Sequence, residues 1–189
     1  MTSFLIHPPF ASLSPARRRN YFWLFLVLTV IVMFGLNLTG APMTTDAAPY
    51  GIVSYELAGG VSAAEKILAS WDRIARERCA FSLGLDYLFM PVYAITISLG
   101  CAMASDALQH ANWPLGKLGV PLGWLQFLAA LLDAIENYAL ASMLFGGVAD
   151  PWPQIAAWCA IPKFILIFFG IVYALFGASV VLVNRLTSK

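Results

Sequence analysis

The sequence predicts an all-α polytopic membrane protein, with four transmembrane helices in one bundle and an amphipathic helix in the first extramembrane loop. Three observations predict it. Of 189 residues, 60% are hydrophobic and only 11% charged, whereas a soluble domain carries about 25% charged residues. Mean hydropathy is +0.78, which excludes a soluble globular chain and a disordered one alike. Four apolar stretches, at about 21–39, 79–105, 120–145 and 154–183, are each long enough to cross a hydrocarbon core roughly 30 Å thick, which takes about 20 helical residues. They show no period-2 barrel pattern, so helix is the form in which their backbones satisfy their own polar groups in lipid. Residues 1–189 read as a single four-span membrane domain. A net charge of +1 leaves no basic excess of the kind that phosphate recognition needs, which excludes a nucleic-acid partner.

The first span comes directly after Arg17, Arg18 and Arg19. Its apolar run of about 18 residues exceeds the 7–15 of a signal-peptide core, and no A-x-A site lies beyond it, so it reads as an uncleaved anchor. Lys117 lies between the second and third spans, and Arg185 and Lys189 lie beyond the fourth. Basic flanks stay cytoplasmic, which predicts that both termini are cytoplasmic in a bacterial inner membrane. Lys66, Arg73, Arg76 and Arg78 lie on the opposite side, interleaved with Glu65, Asp72 and Glu77.

The first loop is structured by its sequence. Ser62 to Glu65 fits a capping box, and Ile67, Leu68, Trp71, Ile74 and Ala75 recur at helical spacing opposite Glu65, Lys66, Asp72, Arg73 and Arg76, predicting an amphipathic helix over about 62–78. That helix is either a lid on the outer membrane surface anchored by Trp71 or the protruding, wet end of the second span. Before it, Glu56 stands in an otherwise apolar segment, either dipping into the mouth of the bundle or facing solvent.

The candidate site rests on ionisable residues at membrane depth. Asp86 in the second span, Asp133 and Glu136 in the third and Lys163 in the fourth would each cost roughly 2.5–3.5 kcal/mol at mid-membrane unless they face the bundle interior. Counting about 1.5 Å per residue from the outer ends sets all four roughly 10–20 Å deep, within one layer. Asp133, Glu136 and Asn137 stand at i, i+3 and i+4, on one helical face. Pro162 precedes Lys163, and Pro91 stands a turn after Asp86 and Tyr87, where a missing backbone donor bends a helix and frees carbonyls. Gly84, Gly100, Ala129, Ala130 and Gly170 would let helices approach closely. The expectation is a polar pocket in the outer half of the bundle, with Glu56, Asp86, Asp133, Glu136, Asn137 and Lys163 as ligand-binding residues and Tyr87, Tyr93 and Tyr138 as walls. Three intramembrane carboxylates with one lysine cannot all be ionised cheaply, so at least one carboxyl should hold a proton. The bland alternative is that these charges are polar glue between helices.

Cofactor and metal chemistry have little to stand on. His7 lies in the N-terminal tail and His110 in a loop, and Cys79, Cys101 and Cys159 form no C-x-x-C pair, so no cofactor and no metal are expected. A carboxylate-only site from Asp86, Asp133 and Glu136 and a bridge between Cys79 and Cys159 stay open. Residues 51–58, 67–71, 85–89 and 132–137 resemble uncharacterised bacterial four-helix membrane proteins. That resemblance singles out Glu56, Asp86, Asp133, Glu136 and Asn137 and implies no activity. The gross plan is also similar to four-span lipid- or sterol-binding and isomerase families, at the level of fold alone.

The residues thus point to a small integral membrane protein that binds a lipid-like or amphipathic ligand, with Lys163 meeting an anionic head group and Asp86 or Glu136 accepting hydrogen bonds. A lipid-modifying enzyme using Asp133 and Glu136 as acid and base, an accessory subunit of a membrane complex and a proton-coupled transporter are the alternatives; the last would need a second copy to form two halves. Partners are then membrane lipids and a lipid-like ligand, with a homo-oligomer or larger complex open. Trp124 and Phe168 read as lipid contacts.

Overall fold

The computed structural model describes residues 7–187; Lys189 and the side chain of Arg185, two of the basic flank residues, lie outside what it describes. The described residues are mostly helical, in the order α1 (Pro15–Gly40), α2 (Ile52–Glu56), α3 (Val61–Ser70), α4 (Arg73–His110), α5 (Gly119–Gly146) and α6 (Trp152–Thr187). Short 3₁₀ turns at Ala41–Met43 and Pro114–Leu118 join α1 to the first loop and α4 to α5. Four of these helices, α1, α4, α5 and α6, are long and apolar enough to cross a membrane.

α4 is the central element. Within its most apolar window 72% of residues are buried, against 11% for the first span, 28% for the third and 22% for the fourth. α4, α5 and α6 pack on one another, whereas α1 packs extensively on α4 alone. The bundle is therefore a trio of helices with a fourth laid along one side. Glycine decides how close these helices come. Gly177 of α6 faces Ala104 of α4 with no room for a side chain, and a Cβ on Gly100 would stand 3.1 Å from Ala174. Gly170 leaves its place to the Gln126 side chain, whose amide donates to the Leu166 carbonyl at 3.0 Å and so ties α5 to α6. Gly84, by contrast, faces open space and brings no helix close. α1 is joined to α4 by a hydroxyl pair, Thr29 with Thr96 at 2.9 Å.

At the terminal end, Ser14 caps α1, its hydroxyl accepting from the Arg17 amide at 3.4 Å, with Pro15 at the first helical position where its missing N–H costs nothing. Arg18 pairs with Asp106 of α4 at 2.7 Å. Phe10 meets the Phe127 ring at 6.3 Å, and the Trp124 indole donates to the His7 carbonyl at 2.9 Å, so the tail lies against α5.

At the opposite end, α2 and α3 form a cap with its own core. Tyr55, Ile67, Leu68 and Trp71 pack there with Cys79 and Leu83 of α4 and with Ala139, Leu140 and Met143 of α5. The Tyr55 hydroxyl donates to the Leu140 carbonyl at 3.2 Å, and the Trp71 indole donates to the Met43 carbonyl at 2.8 Å. Three expectations are corrected here. The helix expected over 62–78 is two helices: Trp71 is extended, and Asp72 starts α4 afresh by accepting from the Ala75 amide at 2.8 Å. Residues 73–78 thus belong to the protruding end of the second span, with Ile74 exposed, while α3 alone is the amphipathic helix, burying Ala64, Ile67 and Leu68. Trp71 is buried in the cap instead of anchoring at a membrane surface. No capping box forms, because α3 begins at Val61 after Gly60, with no side chain capping its first amides. Arg76 closes the other end of α3, donating to the carbonyls of Leu68 at 2.6 Å and Trp71 at 3.3 Å, where a cation meets the negative end of the helix dipole.

Candidate functional site

The third-span face is built as its spacing implies. Asp133, Glu136 and Asn137 are all buried, looking from α5 toward α4 and α6. Lys163, one residue beyond Pro162 on α6, is buried against them. Its ammonium donates to Asp133 Oδ1 at 2.9 Å and stands 2.7 Å from Glu136 Oε2. That second approach is an ion pair as short as the first, so the ammonium ties α6 to α5 through both carboxyls. Asp133 uses its other oxygen to accept from the Tyr93 hydroxyl at 3.0 Å. The ring of Phe164 lies 4.7 Å from the ammonium.

Glu56 joins this cluster from outside the spans. α2, the shorter helix of the cap, brings Glu56, at 9% exposure, to 4.0 Å from the Lys163 ammonium. Of the two sequence readings for this residue, the one in which it dips into the bundle is the one the fold adopts. Burial pushes its carboxyl above the usual carboxylate range; Lys163 opposes that rise, the Asp133 charge adds to it, and the adjoining Glu136 carboxyl, a donor when protonated, opposes it. Desolvation of a carboxylate with incomplete hydrogen bonding is the physical cause.

Asp86 occupies the neighbouring position on α4. It accepts from the Asn137 amide at 2.8 Å, and the same amide donates to the Leu83 carbonyl at 3.3 Å. Among the described residues it forms no ion pair.

These groups border a cavity of about 570 Å³, a volume typical of small-molecule pockets. Glu56, Asp86, Asp133, Asn137 and Lys163 line it; Glu136 sits behind Lys163 and does not. Apolar side chains complete much of the lining, from Met33 and Leu36 of α1, Phe89 of α4, and Phe164 and Ile167 of α6. α1 and α6 flank the cavity without packing firmly on each other, and Met33, Asn37 and Phe164 along its rim are exposed. Of the three tyrosines expected as walls, Tyr93 is one. Tyr87 and Tyr138 are corrected: both are exposed, Tyr87 donating to the Ala134 carbonyl at 3.3 Å and Tyr138 resting against Trp152. The contribution of α1 is the part that sequence reasoning missed. Met33, Leu36, Asn37 and Gly40 recur at helical spacing toward the cavity, and Asn37, a polar residue in an apolar span, is the signal that could have revealed it.

No set of three or more His, Cys, Asp or Glu side chains that could hold a metal occurs among the described residues, and Cys79, Cys101 and Cys159 are free thiols. Comparison of the chain with protein-family models, with curated proteins and with solved structures gives no match. Function is therefore read from geometry alone.

Proposed function

We propose that this integral membrane protein binds an amphipathic, lipid-like molecule in the cavity between α1 and α6, with a polar head against the charged cluster and an apolar body toward the membrane. One observation carries the reading: a 570 Å³ space at the level of the spans that is lined by charged side chains and by apolar ones together. Charges that served only as glue would pack against one another without enclosing a space of that size, because close packing is what makes glue effective. The cap supports the reading as well, since α2 supplies Glu56, Ile52 and Val53 to the lining.

Orientation belongs to the same proposal. Arg17, Arg18, Arg19 and Lys117 gather at the terminal end, which favours cytoplasmic termini by the rule that basic flanks stay inside. The cavity then lies in the outer half of a bacterial inner membrane, beneath the α2–α3 cap.

The test is mass spectrometry of small molecules that co-purify with the protein from its native membrane in detergent-free discs. Wild type is compared with Lys163→Met/Glu136→Gln and with Asn37→Trp, which fills the rim. A discrete amphiphile enriched in wild type and lost from both variants is expected. The same bulk lipids in all three samples would sink the proposal and return the charged layer to helix glue or to a docking face for another subunit.

A further inference from the structure

The charge arrangement of the cavity says more than that its ligand has a polar head. Among the described residues Lys163 is the one cation on the lining, and it is already paired. Its ammonium meets Asp133 at 2.9 Å and Glu136 at 2.7 Å, with Glu56 at 4.0 Å. An anionic head group at Lys163 would either crowd against these carboxylates or displace one of them from the ammonium and leave it buried and unpaired. Removing one partner of a buried pair is the costly change.

The acceptors of the cavity stand in the opposite condition. Asp86 lines it, is only half-buried, and has the neutral Asn137 amide as its side-chain partner. Glu56 lines it too, and its Oε2 is buried and accepts no hydrogen bond. A carboxylate at membrane depth without a counter-ion is expensive, and an unfilled buried acceptor loses the solvation it had in water. Both deficits are met by one chemical group, a cation that carries N–H donors. A quaternary ammonium would supply charge and no donors, so it would answer Asp86 and leave Glu56 unsatisfied.

We infer that the cavity takes a protonated amine on an apolar body, its ammonium set between Asp86 and Glu56 and its hydrocarbon leaving past Met33 and Phe164 between α1 and α6. The inference rests on the binding role proposed above and assigns the chemical class of the head group. Lys163 then acts as a positioning residue: it holds the Asp133 and Glu136 carboxyls to itself, so that Asp86 is left as the carboxylate that answers the ligand.

The experiment uses the full chain in discs of zwitterionic lipid and three single-chain probes of equal length: hexadecylamine, hexadecyltrimethylammonium and hexadecanoate. Binding is read by equilibrium titration in wild type, Asp86→Asn, Asp86→Glu and Asn37→Trp. Hexadecylamine is expected to bind saturably, and each of the other two probes about tenfold or more weakly, as the loss of a charge-assisted hydrogen bond implies. Asp86→Asn should weaken the amine about tenfold, Asp86→Glu should retain most of its affinity, and Asn37→Trp should abolish it. Retention by Asp86→Glu separates lost charge from lost fold. If hexadecanoate binds more tightly than the amine and Asn37→Trp still abolishes binding, the head-group assignment is overturned while the cavity stands. If no probe shows binding sensitive to Asn37→Trp, the binding role falls with it.

Discussion

Lys163 is the residue on which the buried cluster depends. Breaking a buried ion pair from one side costs roughly 3–5 kcal/mol, because the remaining charge has no partner. Lys163→Met is expected to lose stability on that scale, since Asp133 and Glu136 would face each other across the gap the ammonium filled. Lys163→Met/Glu136→Gln should recover part of the loss by removing one of the stranded charges. Thermal unfolding in discs checks this, and a double variant no more stable than the single one would contradict it. Glu56 makes a second prediction at this scale. Lys163 from α6, Asp133 and Glu136 from α5, and Asp86 and Cys79 from α4 all act on or feel its carboxyl. Its affinity for a proton is higher folded than unfolded, so its contribution is fully present below the unfolded pKa of about 4.3 and is lost as the pH rises through the higher folded value. Glu56→Gln should therefore lose less stability than wild type as the pH rises above the unfolded value; equal losses would place the titration elsewhere. The helical face of Asp133, Glu136 and Asn137 is legible in the sequence because i, i+3, i+4 spacing fixes a face regardless of context. Glu56 is ambiguous there because a five-residue helix leaves no periodicity to read, and its burial is decided by Tyr55 reaching the Leu140 carbonyl in another element.

At the level of elements, the break between α3 and α4 shows what periodicity conceals. Ile67, Leu68, Trp71 and Ala75 keep helical phase across it and are all buried, so the pattern reads as one helix. The interruption comes from a distant acceptor, the Met43 carbonyl, which holds the Trp71 indole and leaves Asp72 to cap α4. Losing such a cap costs about 1 kcal/mol. Asp72→Ala is expected to speed hydrogen exchange at the Ala75 and Arg76 amides while leaving the middle of α4 protected. Unchanged exchange there would mean the cap contributes nothing. The contact of α4 with α6 carries a larger penalty. Gly177 leaves no space beside Ala104, so Gly177→Val forces the two helices apart and should cost on the order of 1–3 kcal/mol by overpacking. A thermal midpoint equal to wild type would show that the helices separate freely. Small residues announce some close approaches in the sequence, at Gly100 and Gly170, but Gly84 carries the same signature and faces open space.

For the whole molecule, the number and type of the spans are dictated by composition and length, which depend on each segment alone. Which span is central is not, because four apolar helices can be permuted without altering the pattern of any one. The position of α4 at the centre, and of α1 on α4 alone, is set by shape: by Gly177 against Ala104, Gly100 against Ala174 and Thr29 against Thr96. The cavity is a product of that asymmetry, since α1 laid beside a packed trio leaves a cleft against α6 that a symmetric bundle would close. Topology can be checked in a cysteine-free background with a membrane-impermeant maleimide. Tyr50→Cys, at an exposed position by the cap, is expected to react from outside the cell and Ala11→Cys only after the membrane is opened; the reverse would invert the orientation. The most direct test of the binding cavity is photo-crosslinking in the native membrane, with benzoylphenylalanine placed at Met33 on the cavity wall or at the exposed Ile31 on the same helix. A single discrete adduct at position 33, against a spread of phospholipid adducts at position 31, is the result expected of a binding cavity; the same phospholipid spread at both positions would contradict it.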